Sequence, residues 1–174
     1  MMKSIIRIAL VTGFVLLVPL LAMQFSSGVA WGPGDFLHAG ALVAGAGLMY
    51  ELMASRSGSF AYRAGAGIGL GAAFLLIWAN VAGGIVGSED NPINAIYFGV
   101  PAVGIIGAAI ARLAPRGMAR AMLATALAQA LAGIVALATV WGSPWEALAD
   151  VLLINGFFAL LFTGSALLFR RASG

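Results

Sequence analysis

Few side chains in this sequence can do chemistry, and their spacing narrows what that chemistry could be. His38 is the single histidine and follows Asp35 by three residues, so on a helix the two share a face and could act as a proton-linked pair. One histidine cannot supply a bis-His haem or a metalloprotease pair, and with no Cys there is no thiolate ligand, iron–sulfur cluster or Cys nucleophile. The run Gly87-Ser88-Glu89-Asp90-Asn91-Pro92 places two carboxylates side by side. Calcium wants about six or more oxygens and the EF-hand spacing is absent, so capping is the simpler reading. Asn91 caps the helix that Pro92 begins, with Glu89 and Asp90 near the positive end of its dipole. Asp35, after Gly32-Pro33-Gly34, is read as an N-cap in the same way. The chain has no Gly-x-x-x-x-Gly-Lys phosphate loop and no His-Glu-x-x-His pair. No catalytic residue, metal or cofactor is therefore expected, and Asp35, Glu89, Asp90 and Asn91 stand as candidate outer-loop contacts.

The other candidates are polar residues inside apolar runs. Gln129 falls near the middle of one run, Asn80 in the outer half of another, and Glu51 just before an inner boundary. Thr12, Thr125, Thr163 and Ser165 can bond their own helix backbone and say little. Asn80 and Gln129 cannot do so fully and need partners on a neighbouring helix. With His38 and Glu51 they form the candidate intramembrane polar site. Two uses compete: separate interhelical clamps, or the lining of a solvated path. For Glu51, neutralisation by Arg56 or a neighbouring arginine is the expected arrangement.

These residues are positioned by helices that the charges delimit. The nine basic residues form four groups: Lys3 and Arg7; Arg56 and Arg63; Arg112, Arg116 and Arg120; Arg170 and Arg171. Between them come loops bearing Asp35, then Glu89 and Asp90, then Glu146 and Asp150, without Lys or Arg. This alternation is the positive-inside pattern of a polytopic membrane protein. The composition agrees: 62% hydrophobic and 9% charged over 174 residues, against about 25% charged in soluble domains. The net charge of +3 sits at helix ends in small groups, so topology accounts for it and no nucleic-acid surface is implied.

The reading is an all-α fold of one domain over 1–174, with six transmembrane helices in three hairpins and both termini cytoplasmic. The spans fall at 5–23, 36–53, 64–86, 95–111, 121–141 and 151–169, each close to the ~20 residues that cross a hydrocarbon core. Trp31, Tyr97, Trp141 and Trp145 would mark the outer boundary, and Tyr50 and Tyr62 the inner one. The first apolar run also resembles a secretory signal, with small residues at 27–30 as a possible cleavage site. Its length favours a retained anchor. The intervals Arg7 to Arg56, Arg63 to Arg112 and Arg120 to Arg170 suggest a threefold repeat, although bilayer thickness alone makes hairpins this long.

Small residues provide the packing faces. They include Gly65, Gly67, Gly69 and Gly71 in helix three, Gly40, Ala44, Gly45 and Gly47 in helix two, and Gly99, Gly104 and Gly107 around Pro101 in helix four. In helix five, Ala124, Ala128, Ala132 and Ala136 make a four-residue stripe. Such faces pack helices within one chain, against a second copy, or against another membrane protein.

The run from Gly87 to Val100, beginning Gly87-Ser88-Glu89-Asp90-Asn91-Pro92, and the segment Arg112-Leu113-Ala114-Pro115-Arg116-Gly117-Met118-Ala119-Arg120-Ala121 resemble an uncharacterised family of bacterial multi-pass inner-membrane proteins. The likeness continues through Ala126-Leu127-Ala128-Gln129-Ala130-Leu131 and Gly142-Ser143-Pro144-Trp145-Glu146. It implies a compact fold in the bacterial cytoplasmic membrane and transfers no catalytic residue. The functional expectation is a non-catalytic accessory, assembly or helix-packing subunit, with the bilayer and a membrane-protein partner or second copy as its contacts. The alternative is a small-solute or proton-linked transporter or channel.

Overall fold

A computed structural model describes residues 2–25 and 31–174. The small residues 27–30 lie outside the described residues. Six helices make up the architecture: α1 (Met2–Phe25), α2 (Pro33–Ala54), α3 (Phe60–Ala82), α4 (Ile96–Ile110), α5 (Pro115–Thr139) and α6 (Trp145–Arg171), with a 3-10 turn at Pro92–Ala95 before α4. No strand occurs among the described residues, and all six helices are long and apolar enough to cross a membrane. The all-α expectation with six such helices is therefore borne out. Large apolar side chains such as Phe14, Ile110, Leu131 and Leu160 are exposed along them, as a hydrocarbon solvent permits and water does not.

Two compact units divide the chain at Leu52/Met53. In the first, α1 and α2 approach where α2 has glycine. A Cβ on Gly47 would stand 3.2 Å from Ile8, and one on Gly40 would stand 3.4 Å from Leu16.

In the second unit, α5 packs on α4 and α6, α6 packs on α3, and α3 meets α4 only thinly. Buried positions on α6 (Val151, Asn155, Phe158, Phe162, Ser165, Phe169) recur in steps of four and three, which keeps them on one face of a 3.6-residue helix. The buried face of α5 runs Met118, Met122, Thr125, Gln129, Ala132, Ala136. It keeps two alanines of the predicted stripe but leaves Ala124 exposed. Glycines set the closest approaches: Gly65 and Gly69 of α3 lie against Ser165, and Gly104 and Gly107 of α4 lie against Thr125 and Ala121.

Helix ends follow local grammar with two departures from expectation. Helix α3 stops at Ala82, not near residue 86, with Gly83 at its C-cap, and Gly84 then takes φ +75°, a left-handed conformation suited to glycine. Helix α2 begins at Pro33, so Asp35 is not its N-cap; its carboxylate reaches back to accept from Gly32 N–H at 2.8 Å, the returning half of a capping box. The α4–α5 connection passes through Arg112 (φ 48°) and Leu113 (φ 61°). Tyr62, predicted at the inner interface, is instead fully buried, donates to the Leu113 carbonyl at 2.7 Å and meets Phe169 edge-on at 5.0 Å. One tyrosine thus ties α3 and α6 to a left-handed turn.

The glycine geometry yields a paired test. A Cβ on Gly107 would stand 2.7 Å from Ala121 Cβ, whereas one on Gly71 meets nothing within 4 Å. Gly107→Val should lower unfolding free energy by about 1–3 kcal/mol through overpacking. Gly71→Ala should leave it unchanged or raise it by up to about 1 kcal/mol through helix propensity. Thermal unfolding in detergent compares the two.

Candidate functional site

Gln129 is completely buried on α5, and its partner is Asn155 of α6. Gln129 Nε2 donates to Asn155 Oδ1 at 2.8 Å. Asn155 Nδ2 in turn donates to the Tyr97 hydroxyl oxygen on α4 at 3.1 Å and to the Val151 carbonyl at 2.8 Å. Three helices are thereby joined by one amide relay with Asn155 at its centre. The relay needs α5 and α6 to come close, and Gly133 permits it: a Cβ there would lie 2.9 Å from Asn155 Cβ. Tyr97, predicted as an outer-boundary aromatic, is buried inside this network. Gln129 Oε1 has no partner among the described residues.

Asn80 is buried on α3, and its Oδ1 likewise has no partner among the described residues. No hydrogen bond joins it to the relay.

The connection between α3 and α4 is organised by Asn94. Its Oδ1 accepts from the backbone N–H groups of Ile85 and Val86 at 3.1 and 2.9 Å, while Nδ2 donates to the Ser88 carbonyl at 2.8 Å. Any Cβ on Gly84 would fall 2.6 Å from both Asn94 Nδ2 and the Ser88 carbonyl oxygen. Asn91 caps the 3-10 turn, its Oδ1 accepting from Ile93 N–H at 3.2 Å, with Pro92 next. Glu89 and Asp90 are exposed beside this knot and contribute no side-chain bond to it. Among the described residues no group of three or more His, Asp and Glu is placed to hold a metal.

In the first unit, Glu51 is neutralised by an arginine, but by Arg7 of α1 and not by Arg56, the nearer in sequence. The pairing follows from packing, since α1 and α2 lie alongside and bring a residue near one end of α1 to one near the end of α2. Ser4 Oγ donates to the other carboxylate oxygen at 3.1 Å. A cleft of about 320 Å³ adjoins the pair, lined by both charged residues, Tyr50, Thr12 and apolar side chains of α1 and α2. His38 is exposed, and its Nδ1 donates to the Gly34 carbonyl at 2.7 Å. Asp35 is spent on Gly32, so each member of the expected proton-linked pair has its own backbone partner.

Of the sequence candidates, Gln129 and Asn91 make specific side-chain contacts of the kind anticipated. Ser165 does not satisfy itself locally: its hydroxyl donates across to the Gly65 carbonyl at 2.7 Å. Thr125 and Thr163 do bond their own helices. Sequence reasoning missed Asn155, Asn94, Tyr97 and Tyr62 as positioning residues. A signal for Asn155 existed, because it occupies the step between Val151 and Phe158 on the buried row of α6.

No family model, no curated protein and no solved structure matches the chain.

Two measurements probe these contacts. Gln129→Leu and Asn155→Leu each orphan a buried amide atom, so each should cost about 1–3 kcal/mol. The double variant should recover about 0.6–1.7 kcal/mol of their sum, the scale of hydrogen bonds between membrane helices. Asn94→Ala should speed hydrogen exchange at Ile85 and Val86, while Glu89→Gln and Asp90→Asn should leave both amides protected.

Proposed function

We propose that this chain is a non-catalytic accessory or assembly subunit of the bacterial cytoplasmic membrane, multi-pass, with three hairpins and both termini cytoplasmic. Its task is to present helix faces to another membrane protein or to a second copy. The observation that carries this reading is the fate of Gln129. At 0% exposure, this polar side chain near the middle of its predicted span commits its amide nitrogen to Asn155. A residue serving a solvated path would face water; this one locks α5 to α6 and, through Asn155, to α4. Outward faces of the spans remain apolar, which suits burial against lipid or another helix. The resemblance to bacterial multi-pass inner-membrane proteins supports the location, and the separation of arginine loops from acidic loops supports the orientation.

The chain has no Cys, so single cysteines report cleanly. Ser57→Cys, beside Arg56, and Ser88→Cys, beside Glu89, should label from opposite sides of intact cells; labelling from one side overturns the topology. At native expression the protein should migrate as one discrete complex larger than its protomer. Migration as a protomer, with saturable solute flux in proteoliposomes above empty vesicles, would replace the assembly role with transport.

A further inference from the structure

We propose that the cleft between α1 and α2 binds one phospholipid with a zwitterionic headgroup carrying a primary ammonium. Two observations converge on it. The cleft holds about 320 Å³, at the lower end of the ~300–1,000 Å³ of small-molecule sites. Ile8, Val11 and Val43 give it an apolar wall along the helices, while Arg7, Glu51 and Tyr50 collect at one end. That is the layout of an amphiphile, with chain and headgroup in series. Thr12 interrupts the apolar wall with a small polar side chain.

Charge selects the headgroup. Arg7 and Glu51 bond each other and remain accessible, with side-chain exposures of 67% and 30%. An anionic headgroup would complement Arg7 and meet repulsion from Glu51. A phosphate with a tethered ammonium complements both: the guanidinium donates to phosphate oxygens, and the ammonium N–H donates to a Glu51 oxygen. A trimethylated ammonium lacks those donors. Phosphatidylethanolamine therefore fits where phosphatidylcholine and phosphatidylglycerol fit less well.

The test is native mass spectrometry of the full-length protein released from vesicles of equimolar phosphatidylethanolamine, phosphatidylcholine and phosphatidylglycerol. Phosphatidylethanolamine should be retained at one per chain, about fivefold above either competitor, as expected for partly exposed charge pairs. Glu51→Gln should abolish that preference. Gly47→Leu, which collides with Ile8 where the two helices approach and so distorts the cleft, should lower retention of all three lipids. Gly45→Leu, at a position where a Cβ meets nothing within 4 Å, should leave retention unchanged. Headgroup selectivity of the wild-type protein decides the matter even if a variant misfolds. Equal retention of the three lipids or a phosphatidylglycerol preference overturns the proposal. So does a lipid-free dimer that Gly47→Leu dissociates, which would assign the cleft to a second copy.

Discussion

Hydrocarbon offers no hydrogen-bond partner, so each polar group inside a span must find one in the protein itself. The bundle of α3 to α6 is arranged around that demand. Backbone groups are met within the helices, and several of the side chains that break apolar monotony are met across them, while Asn80 Oδ1 and Gln129 Oε1 have no partner among the described residues. Asn155 accepts a hydrogen bond from Gln129 and donates to the Tyr97 hydroxyl oxygen and the Val151 carbonyl. Ser165 finds the Gly65 carbonyl, and Tyr62 finds Leu113. Apolar packing against lipid tails yields little net driving force, because the tails are as apolar as the helices. These few directional bonds therefore specify neighbour and register, while close van der Waals contact holds the helices together.

Several polar side chains have a glycine opposite them. Gly133 lets α6 bring Asn155 to α5, Gly69 accommodates the Ser165 hydroxyl, and Gly84 accommodates Asn94. The coupling is geometric. An amide or hydroxyl side chain reaches only a short distance, so its backbone must come close, and a Cβ at the facing position would hold the helices apart. Elsewhere glycine serves close packing alone, as Gly107 does against Ala121 and Gly117 against Ala111.

The helices were largely legible because lipid imposes length and the arginines mark ends. Six apolar runs could be read directly, and their boundaries shifted mainly where local conformation intervened, as at Gly83 and Gly84 after α3. The site was legible only in part. Gln129 stood out because an amide in mid-span demands a partner, but its partner could not be named from one helix. Asn155 falls near the start of the span expected at 151–169, where a polar side chain could as well have met water, whereas the helix itself begins at Trp145. Tyr62 and Tyr97 illustrate the same ambiguity: a tyrosine near a helix end suits the headgroup region, and only the neighbouring helices decide whether its ring turns inward. The Arg7–Glu51 pair was missed because Arg56 is nearer in sequence, while the partner in space came from the start of the chain.

The relay also has a direction, and direction limits what it can do. Asn155 uses its oxygen toward α5 and its nitrogen toward α4 and its own helix, so it is committed on both sides. Gln129 uses only its nitrogen there. Amides neither gain nor lose protons at ordinary pH, so a relay built on Gln129 and Asn155 orients groups without storing charge. A proton-coupled device would place a carboxylate or an imidazole at that centre. In this chain Glu51 is bound to Arg7 and Ser4, and His38 to the Gly34 carbonyl, both in the first unit. The chemistry-bearing groups and the buried relay are thus different residues, and the α4–α5–α6 core works as a fixed joint.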